Sequence, residues 1–389
     1  MKREWGLVGL LSATATASYL ARVNVSVAGL LMMRELGLSQ EAMGRVFSAF
    51  LLGYALCQVP GGMLADRYGA KRVLGWAALA WVAATLGMAG AGVVALLLAG
   101  RFVLGVAEAP MFPAAARAIA SWMPEGLRGR ANGMVVAAIG LGSAIAPPLV
   151  SFVMLRWGWR AALAASALPA LLAGLVWMKV RVPPERAAGQ GEAGGLPRSR
   201  SFVLLTLSYT LQGYVGYIFV YWFYLYLVQV RHFSVLEGAW MGSLPWVLSI
   251  MSIPLGGWLF DRLPGWRKAI PMAGLAGSGV LIAVGARTEH AWGAAACLAL
   301  ATALVLSVEG PFWTTMTSIA GRRSGAAGGV MNMGSNLGGL VSPALTPWLA
   351  ARLGWEAALL VSAGAAIAGG LMWVWIEGGR VEDGVEPGR

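Results

Sequence analysis

The sequence predicts an all-α membrane protein with twelve transmembrane helices, arranged as two pseudo-symmetric six-helix bundles. Of its 389 residues, 58% are hydrophobic and only 12% are charged, about half the charged fraction of a soluble domain. Apolar runs of roughly 20 residues, the length that crosses a bilayer, follow one another along nearly the whole chain. Short stretches of the first half also recur in the second half.

The apolar runs place the helices at roughly 5–30, 43–65, 72–91, 94–118, 130–154, 159–180, 201–229, 238–260, 268–286, 290–318, 326–350 and 355–377. Proline, glycine and charged residues are concentrated between the sixth and seventh runs. We therefore predict an N-terminal bundle (1–180), a cytoplasmic linker (181–200), a C-terminal bundle (201–380) and a cytoplasmic tail (381–389). The first apolar stretch continues to about Met33, too long for the core of a signal peptide, so we expect it to be retained.

The net charge of +12 comes from short clusters of lysine and arginine between the apolar runs. Nucleic-acid binding is one explanation of such a charge, but this spacing is typical of the positive-inside rule. One predicted side of the membrane holds most of the basic residues, including Lys71, Arg267 and Lys268. We therefore predict a multi-pass protein of the cell membrane with both termini in the cytoplasm and no nucleic-acid partner.

The reactive side chains are few. Both cysteines, Cys57 and Cys297, lie inside apolar runs, which is typical of buried apolar side chains. No cysteine, histidine or acidic residue has the spacing of a metal-ligand set, so we predict neither a metal site nor a cofactor. No combination of nucleophile, base and acid indicates an enzyme.

Three short sequences recur in the same order, at offsets of 195 to 201 residues. They are GMLADR at 62–67 and GWLFDR at 257–262, EAPMF at 108–112 and EGPFW at 309–313, and GWRAAL at 158–163 and GWEAAL at 354–359. The offset is about half the chain, which predicts two similar halves. Parallel halves around an axis along the membrane normal are an architecture of secondary transporters, which bind substrate between the halves near the midplane.

These residues resemble the major facilitator superfamily. The run GMLADRYGAKR at 62–72 is similar to its cytoplasmic signature between helices 2 and 3. A narrower resemblance is to the anion:cation symporters, which carry sugar acids, sialic acid, glutamate and phosphate. It lies in YLARVN at 19–24, YALCQVPGG at 54–62, RFVLGVAEAPMFP at 101–113, GGVMN at 328–332 and NLGG at 336–339.

The resemblance implies the major facilitator fold and a secondary active transporter for a small organic anion, such as a sugar acid or another carboxylate. It also implies H⁺ symport with alternating access, with Na⁺ as an alternative coupling ion. One departure concerns coupling. Ala21 stands where the family usually has an acidic residue, directly before the arginine of helix 1.

Four ionisable residues fall well inside the predicted spans, where a charge costs about 2.5–3.5 kcal/mol or more. They are Arg22, Arg101, Glu108 and Glu309. The resemblance implies that Arg22 anchors the substrate anion, that Arg101 assists binding or gating, and that Glu108 carries a proton. The alternative is that Arg22 and Glu108 each form a structural pair with another helix.

Spacing limits the pairing of these charges. Arg101 and Glu108 stand seven residues apart on one helix, ~10 Å along its axis, so they cannot pair directly. Glu309 is the repeat copy of Glu108. We predict that it is either a second proton site or the neutralising partner of an arginine.

Polar and aromatic residues in the spans are candidates for the binding-site lining. The family pattern favours Tyr19, Tyr54 and Asn332, while the aromatic density of helix 7 suggests Tyr217 and Tyr221, and Trp313 follows Glu309 by one turn. The alternatives are hydrogen bonds between helices and an interfacial aromatic belt.

The signature loops hold a second group of charges. By resemblance we predict a latch that stabilises one access state, formed by Asp66, Arg67, Arg72, Asp261 and Arg262. The alternative is ordinary positive-inside charge.

Two other functions compete with anion symport. A multidrug or metabolite exporter of the same superfamily, working as an H⁺ antiporter, often has the pattern GPxxGG in helix 5, whereas residues 140–148 read GLGSAIAPP. A transporter-like sensor is expected to carry an added signalling domain, and the residues after Glu377 are too few for one. We expect a monomer in the lipid bilayer, with a small organic anion and H⁺ as partners.

Overall fold

The structure, a computed structural model, describes residues 2–184, 199–320 and 324–377. Its helices are α1 (Lys2–Leu36), α2 (Gln40–Tyr68), α3 (Ala70–Ala89), α4 (Val94–Glu108), α5 (Met111–Trp122), α6 (Glu125–Ser166), α7 (Leu168–Lys179), α8 (Arg200–Tyr221), α9 (Phe223–Gln229), α10 (Val235–Arg262), α11 (Ala269–Arg287), α12 (Ala291–Ser307), α13 (Glu309–Ala320) and α14 (Ser324–Met372), with a short 3₁₀ turn at Pro264–Trp266. No strand occurs in these ranges, which confirms the all-α prediction there. Most of the predicted linker and all of the predicted tail lie outside the described residues.

Nine helical segments in the described ranges are long and apolar enough to cross a membrane. The two longest, Leu127–Lys179 and Ala327–Met372, have 53 and 46 residues. Each contains one glycine with a positive φ, Gly158 (80°) and Gly354 (85°), at which the helix is interrupted. Residues with a side chain rarely adopt this conformation, so glycine is required here. The predicted number of twelve crossings stays a prediction.

The three repeated sequences mark equivalent backbone positions. The glycines of the two GW sequences are the interruptions in α6 and α14. The second repeat lies where α4 ends at Glu108 and where α13 begins at Glu309. The first repeat, at 62–67 and 257–262, lies at the ends of α2 and α10. The sequence repeat is therefore also a repeat of helix ends and helix breaks.

Hydrogen bonds between loops distinguish two ends of the helix bundle. At one end, here called the terminal face, Arg3 donates to the carbonyl oxygen of Arg181 at 3.0 Å, and Lys268 donates to that of Val374 at 3.1 Å. At the other end, the far face, Arg231 donates to the carbonyl oxygen of Thr288 at 2.7 Å. Successive helices run in opposite directions, so the connections between them alternate between the terminal face and the far face.

Within a half, helices approach closely enough for backbone to touch backbone. A methyl group placed on Gly105 would lie 2.1 Å from the carbonyl oxygen of Phe50, and one on Gly53 would lie 2.3 Å from that of Phe102. No side chain fits at either position, so α2 and α4 are held at a distance that only glycine permits.

The two halves defined by the repeats meet along a seam formed by α2 against α14 and α6 against α10. Side chains make the hydrogen bonds across it. Ser48 donates to the carbonyl oxygen of Leu340 at 2.8 Å, and Gln40 donates to Gln229 at 2.9 Å. Gln40 is the first residue of α2 after the far-face turn, so these contacts join the halves on the far side of the seam.

Candidate substrate-binding site

The site is organised around Arg22, in the middle of α1, whose side chain is only 2% exposed. Its Nη2 atom donates to Oε2 of Glu108 at 3.2 Å, and its Nη1 atom donates to the hydroxyl of Tyr19 at 3.2 Å. Tyr19 precedes Arg22 by three residues, so both side chains lie on one face of α1. Glu108 comes from the last position of α4. The structure therefore pairs two residues for which the sequence predicted separate roles.

Aromatic rings surround the guanidinium group of Arg22. Its central carbon lies 4.4 Å from the ring centre of Tyr19, 4.8 Å from that of Phe50 and 4.7 Å from that of Tyr54. Such contacts stabilise a desolvated cation by about 2 kcal/mol. The predicted residues Tyr19 and Tyr54 are thus brought to Arg22, whereas Phe50 was missed because an apolar aromatic residue in an apolar helix carries no signal.

Arg101 is completely buried and contacts the backbone of α1. Its Nη2 atom donates to the carbonyl oxygen of Arg22 at 3.3 Å, and Nη1 donates to that of Ala21 at 3.5 Å. Its guanidinium carbon also lies 4.8 Å from the ring centre of Phe50. Arg101 and Glu108 therefore take different partners, as their spacing along one helix predicts.

Glu108 is held at one of its two carboxylate oxygens. Ser18 donates to Oε2 at 2.9 Å, and Arg22 donates to the same oxygen. The other oxygen, Oε1, is buried and makes no hydrogen bond to the described residues, and the same is true of Nε of Arg22. Because an unpaired buried polar atom is costly, this ion pair has only part of the stability of a two-point contact.

The second half contains a different arrangement around Glu309, the first residue of α13. The hydroxyl of Tyr209 donates to its Oε2 atom at 2.7 Å, and Nε2 of Gln212 donates to Oε1 at 2.9 Å. Glu309 makes no salt bridge with any described residue. The helix that carries Tyr209 and Gln212, α8, also places the ring of Tyr221 at 5.9 Å from the guanidinium carbon of Arg101, so one helix borders both charged groups.

Tyr209 and Gln212 were missed by the sequence analysis. They lie three positions apart and share a face of α8, which was the signal that could have identified them, but the helix holds several other polar residues.

The remaining predicted lining residues lie on α8 and α14 or beside Glu309. The rings of Tyr217 and Tyr221 stack at 5.9 Å, and the Tyr217 hydroxyl donates to Oδ1 of Asn336 at 3.3 Å. Asn332 accepts a hydrogen bond from Asn336 through its carbonyl oxygen at 3.0 Å. Trp313 contacts Tyr209 edge-on at 6.4 Å, so it belongs to the surroundings of Glu309 and not to those of Arg22.

The predicted latch residues lie at the terminal face, away from this cavity. Asp66 pairs with Arg117 of α5 at 2.7 Å, within its own half, although Asp66 is 61% exposed. Arg67 packs on the ring of Tyr68 and Arg262 on that of Trp258. The remaining two predicted latch residues, Arg72 and Asp261, occupy exposed positions at the same face.

Family membership rests on one match that spans most of the chain. The sequence model described as Major Facilitator Superfamily matches residues 10–341. The chain belongs to the major facilitator superfamily. This membership makes it a multi-pass membrane transporter and not an enzyme. It also confirms the major facilitator fold that the repeats and the signature loop predict.

Several relatives within the superfamily are similar over nearly their whole length. The chain is 34% identical over 382 residues to a probable sulfoacetate transporter, SauU, of Cupriavidus necator, covering 91% of this chain and 89% of the relative. It is 28% identical to a D-galactonate transporter of Escherichia coli O6:H1, with 97% and 96% covered. It is 29% identical to a probable galactarate/D-glucarate transporter, GudP, of Bacillus subtilis, with 96% and 92% covered.

Solved structures of transporters share the fold. A bacterial homologue of the human lysosomal transporter Spinster, in an inward-facing and occupied conformation, has a TM-score of 0.83 at 19% identity, with 95% of this chain and 96% of that chain covered. A D-xylose-proton symporter has a TM-score of 0.79 at 17% identity, with 96% and 98% covered. At these identities the likeness concerns the fold alone.

Proposed function

We propose that this member of the superfamily is a secondary active symporter, which carries a small organic anion together with H⁺ by alternating access. One observation carries the proposal. Arg22 is a buried cation inside an aromatic cage, held by a one-point contact to Glu108. The named relatives are transporters of sulfoacetate, D-galactonate and galactarate or D-glucarate. All are organic anions, so the cargo class extends from carboxylates to sulfonates.

Arg22 is the anchor for the anion in this proposal. Its guanidinium presents a planar fork of donors that fits two oxygens of one carboxylate or sulfonate group. The unpaired Nε atom lies on that fork. Tyr19 and Tyr54 lie against the guanidinium. Its Nη1 atom bonds to the Tyr19 hydroxyl and its Nη2 atom to Glu108, so the anion takes Nε together with Nη2 once Glu108 releases it.

Glu108 couples the proton to the anion. While Glu108 is ionised, it occupies the same guanidinium that the anion needs. A proton on Glu108 neutralises this internal competitor, and binding of the anion favours that protonated form in return. The two ligands therefore strengthen each other's binding, typically by 1–3 kcal/mol in such linked systems.

The seam between the halves is where alternating access takes place. Side-chain hydrogen bonds join the halves on the far side. Backbone also meets backbone there, because a methyl group on Gly44 of α2 would lie 2.2 Å from the carbonyl oxygen of Pro343 of α14. Opening the far side requires separating both kinds of contact, so that the halves move as units around the space between them.

The test is uptake into proteoliposomes under an imposed inward proton gradient, with labelled sulfoacetate, D-galactonate and D-glucarate as probes. We expect saturable uptake that collapses when a protonophore is added and is lost in Arg22→Ala. Arg352→Ala is the matched control, because Arg352 also lies over an aromatic ring, that of Trp348, but is exposed at the far face. Uptake that follows a Na⁺ gradient instead contradicts H⁺ coupling, and efflux of hydrophobic cations without anion uptake supports the exporter alternative.

A further inference from the structure

Glu309 is the acidic group of the cavity that the coupling through Glu108 does not use. Both acids belong to the same repeated sequence, but their partners differ in charge. Glu108 receives a hydrogen bond from the cation Arg22, whereas Glu309 receives its hydrogen bonds from the neutral groups of Tyr209 and Gln212. Glu309 is partly buried, and a partly buried carboxylate without a cation is held at a cost that binding a proton removes.

The groups around Glu309 are all uncharged in the described part of the chain. From α8 it faces Tyr209 and Gln212, and from its own helix it faces Trp313. The other helices packed against α13, which are α10, α11, α12 and α14, bring no charged side chain that acts on it within those residues.

These partners suit both protonation states of Glu309. A tyrosine hydroxyl can donate to a carboxylate and can accept from a carboxylic acid, so the contact of 2.7 Å with Tyr209 persists in either state. Glu309 also opens α13, and the amino end of a helix favours a negative charge modestly. A proton carrier has to release its proton as well as bind it, and this arrangement permits both steps.

The charges of the cavity balance when it is empty. Arg22 and Arg101 are two cations, and Glu108 and Glu309 are two acids. A bound dianion upsets this balance by two charges, and protons on both acids restore it. Both protons enter with the anion from one side and leave with it on the other, after which the acids are ionised again.

We infer that Glu309 is a second proton site, so that each anion is carried with two protons and the preferred cargo is a dianion with two acidic groups. This inference rests on the proposed symport. It assigns one acid to each half of the transporter, with Glu108 releasing Arg22 and Glu309 removing the charge that would repel the second acidic group of the cargo.

The number of protons carried with each anion distinguishes two proton sites from one. We would measure the accumulation of sulfoacetate, a dianion, in proteoliposomes at imposed pH gradients and membrane potentials, for the wild type and for Glu309→Gln. The wild type is expected to move two protons and no net charge, so its uptake does not respond to membrane potential. Glu309→Gln is expected to move one proton and a net negative charge, so an inside-negative potential slows its uptake. Glu356→Gln is the matched control, since Glu356 is an exposed acid at the far face.

Exchange of external for internal sulfoacetate shows whether the variant is folded, because exchange needs no net proton movement. Glu309→Gln is expected to retain it, since the amide resembles the protonated acid in shape. Loss of exchange, or an unchanged proton number in the variant, overturns the second proton site. Uptake of D-galactonate but not of sulfoacetate by the wild type overturns the dianion preference alone. A wild type that takes up neither probe overturns this inference together with the proposed symport.

Discussion

Arg101 donates from Nη2 to the main-chain carbonyl oxygen of Arg22 across 3.3 Å, so one buried arginine holds the backbone that carries the other. The contact ties the centre of α1 to α4 from the side opposite the Arg22 fork. Arg101 is therefore a positioning residue in this state, and its charge offsets that of Glu108 without pairing with it.

Replacing Arg101 by alanine is expected to lower both stability and uptake. The carbonyl oxygens of Ala21 and Arg22 would each lose a side-chain donor while keeping their helical partners in α1, and a lost hydrogen bond of this kind costs about 0.5–1.5 kcal/mol. Thermal unfolding in detergent measures the loss of stability, with Arg45→Ala as the control at an exposed position of α2. An unfolding temperature equal to that of the control contradicts this positioning role.

Arg22→Lys keeps the positive charge but removes the planar fork and its stacking with Tyr19 and Tyr54. Hydrogen bonds to charged groups contribute about 1.5–3 kcal/mol, so the apparent KM for the anion should rise roughly ten- to hundredfold. Initial uptake rates over a range of anion concentrations give this value. If Arg22→Lys transports like the wild type, the point charge alone is sufficient and bidentate binding is wrong.

Glu108→Gln mimics the protonated acid permanently. In the wild type, anion binding should weaken as pH rises, because Glu108 loses its proton and pairs with Arg22 again. The variant lacks this competitor, so at about pH 8 it should bind the anion more tightly than the wild type while losing proton-driven accumulation. Ligand-induced thermal shifts across pH measure the binding, and binding that weakens equally in both proteins argues against Glu108 as the coupling acid.

The interruption at Gly354 should tolerate no side chain. Gly354→Ala forces a φ of 85° on a residue with a Cβ atom, which costs roughly 1–2 kcal/mol. Gly364→Ala is the matched control, because Gly364 is helical and a methyl group there meets no atom within 4 Å. Thermal unfolding should separate the two variants, and equal unfolding temperatures would mean that the backbone at 354 relaxes at no cost.

The Asp66–Arg117 pair is the part of the predicted latch for which the structure provides a partner. Asp66→Asn should leave stability nearly unchanged, because a pair this exposed contributes about 1 kcal/mol or less. If the pair stabilises one access state, the variant should shift the distance between spin labels placed on the terminal-face ends of α2 and α14. An unchanged distance distribution favours ordinary positive-inside charge as the explanation of these residues.

The helices and the breaks at Gly158 and Gly354 could be predicted from sequence because hydrophobicity and repetition act locally. The breaks beside Glu108 and Glu309 were missed, because the runs 94–118 and 290–318 were predicted to be continuous helices. The pairing of Arg22 with Glu108 could not be chosen in the same way. It depends on how far α1 is shifted along α4, and that shift is set by packing that a single sequence does not reveal.

The surroundings of the charges were predicted unevenly for a related reason. Tyr19 and Tyr54 were identified because the family pattern favours them among the polar residues of the spans. Phe50 lies equally close to Arg22, but only the three-dimensional contact shows it. Nothing in the sequence neighbourhood of Arg117 indicates that it meets Asp66.

The glycine contacts between α2 and α4 have a mechanical consequence. Where backbone touches backbone, as at Gly53 and Gly105, no flexible layer is left to absorb shear. Across the seam the hydrogen bonds come from serine and glutamine side chains, and backbone contact is made at Gly44 against Pro343, so a change of access has to separate the helices at that glycine. The two halves are therefore suited to move as rigid bodies relative to each other, and a cargo bound between them links both.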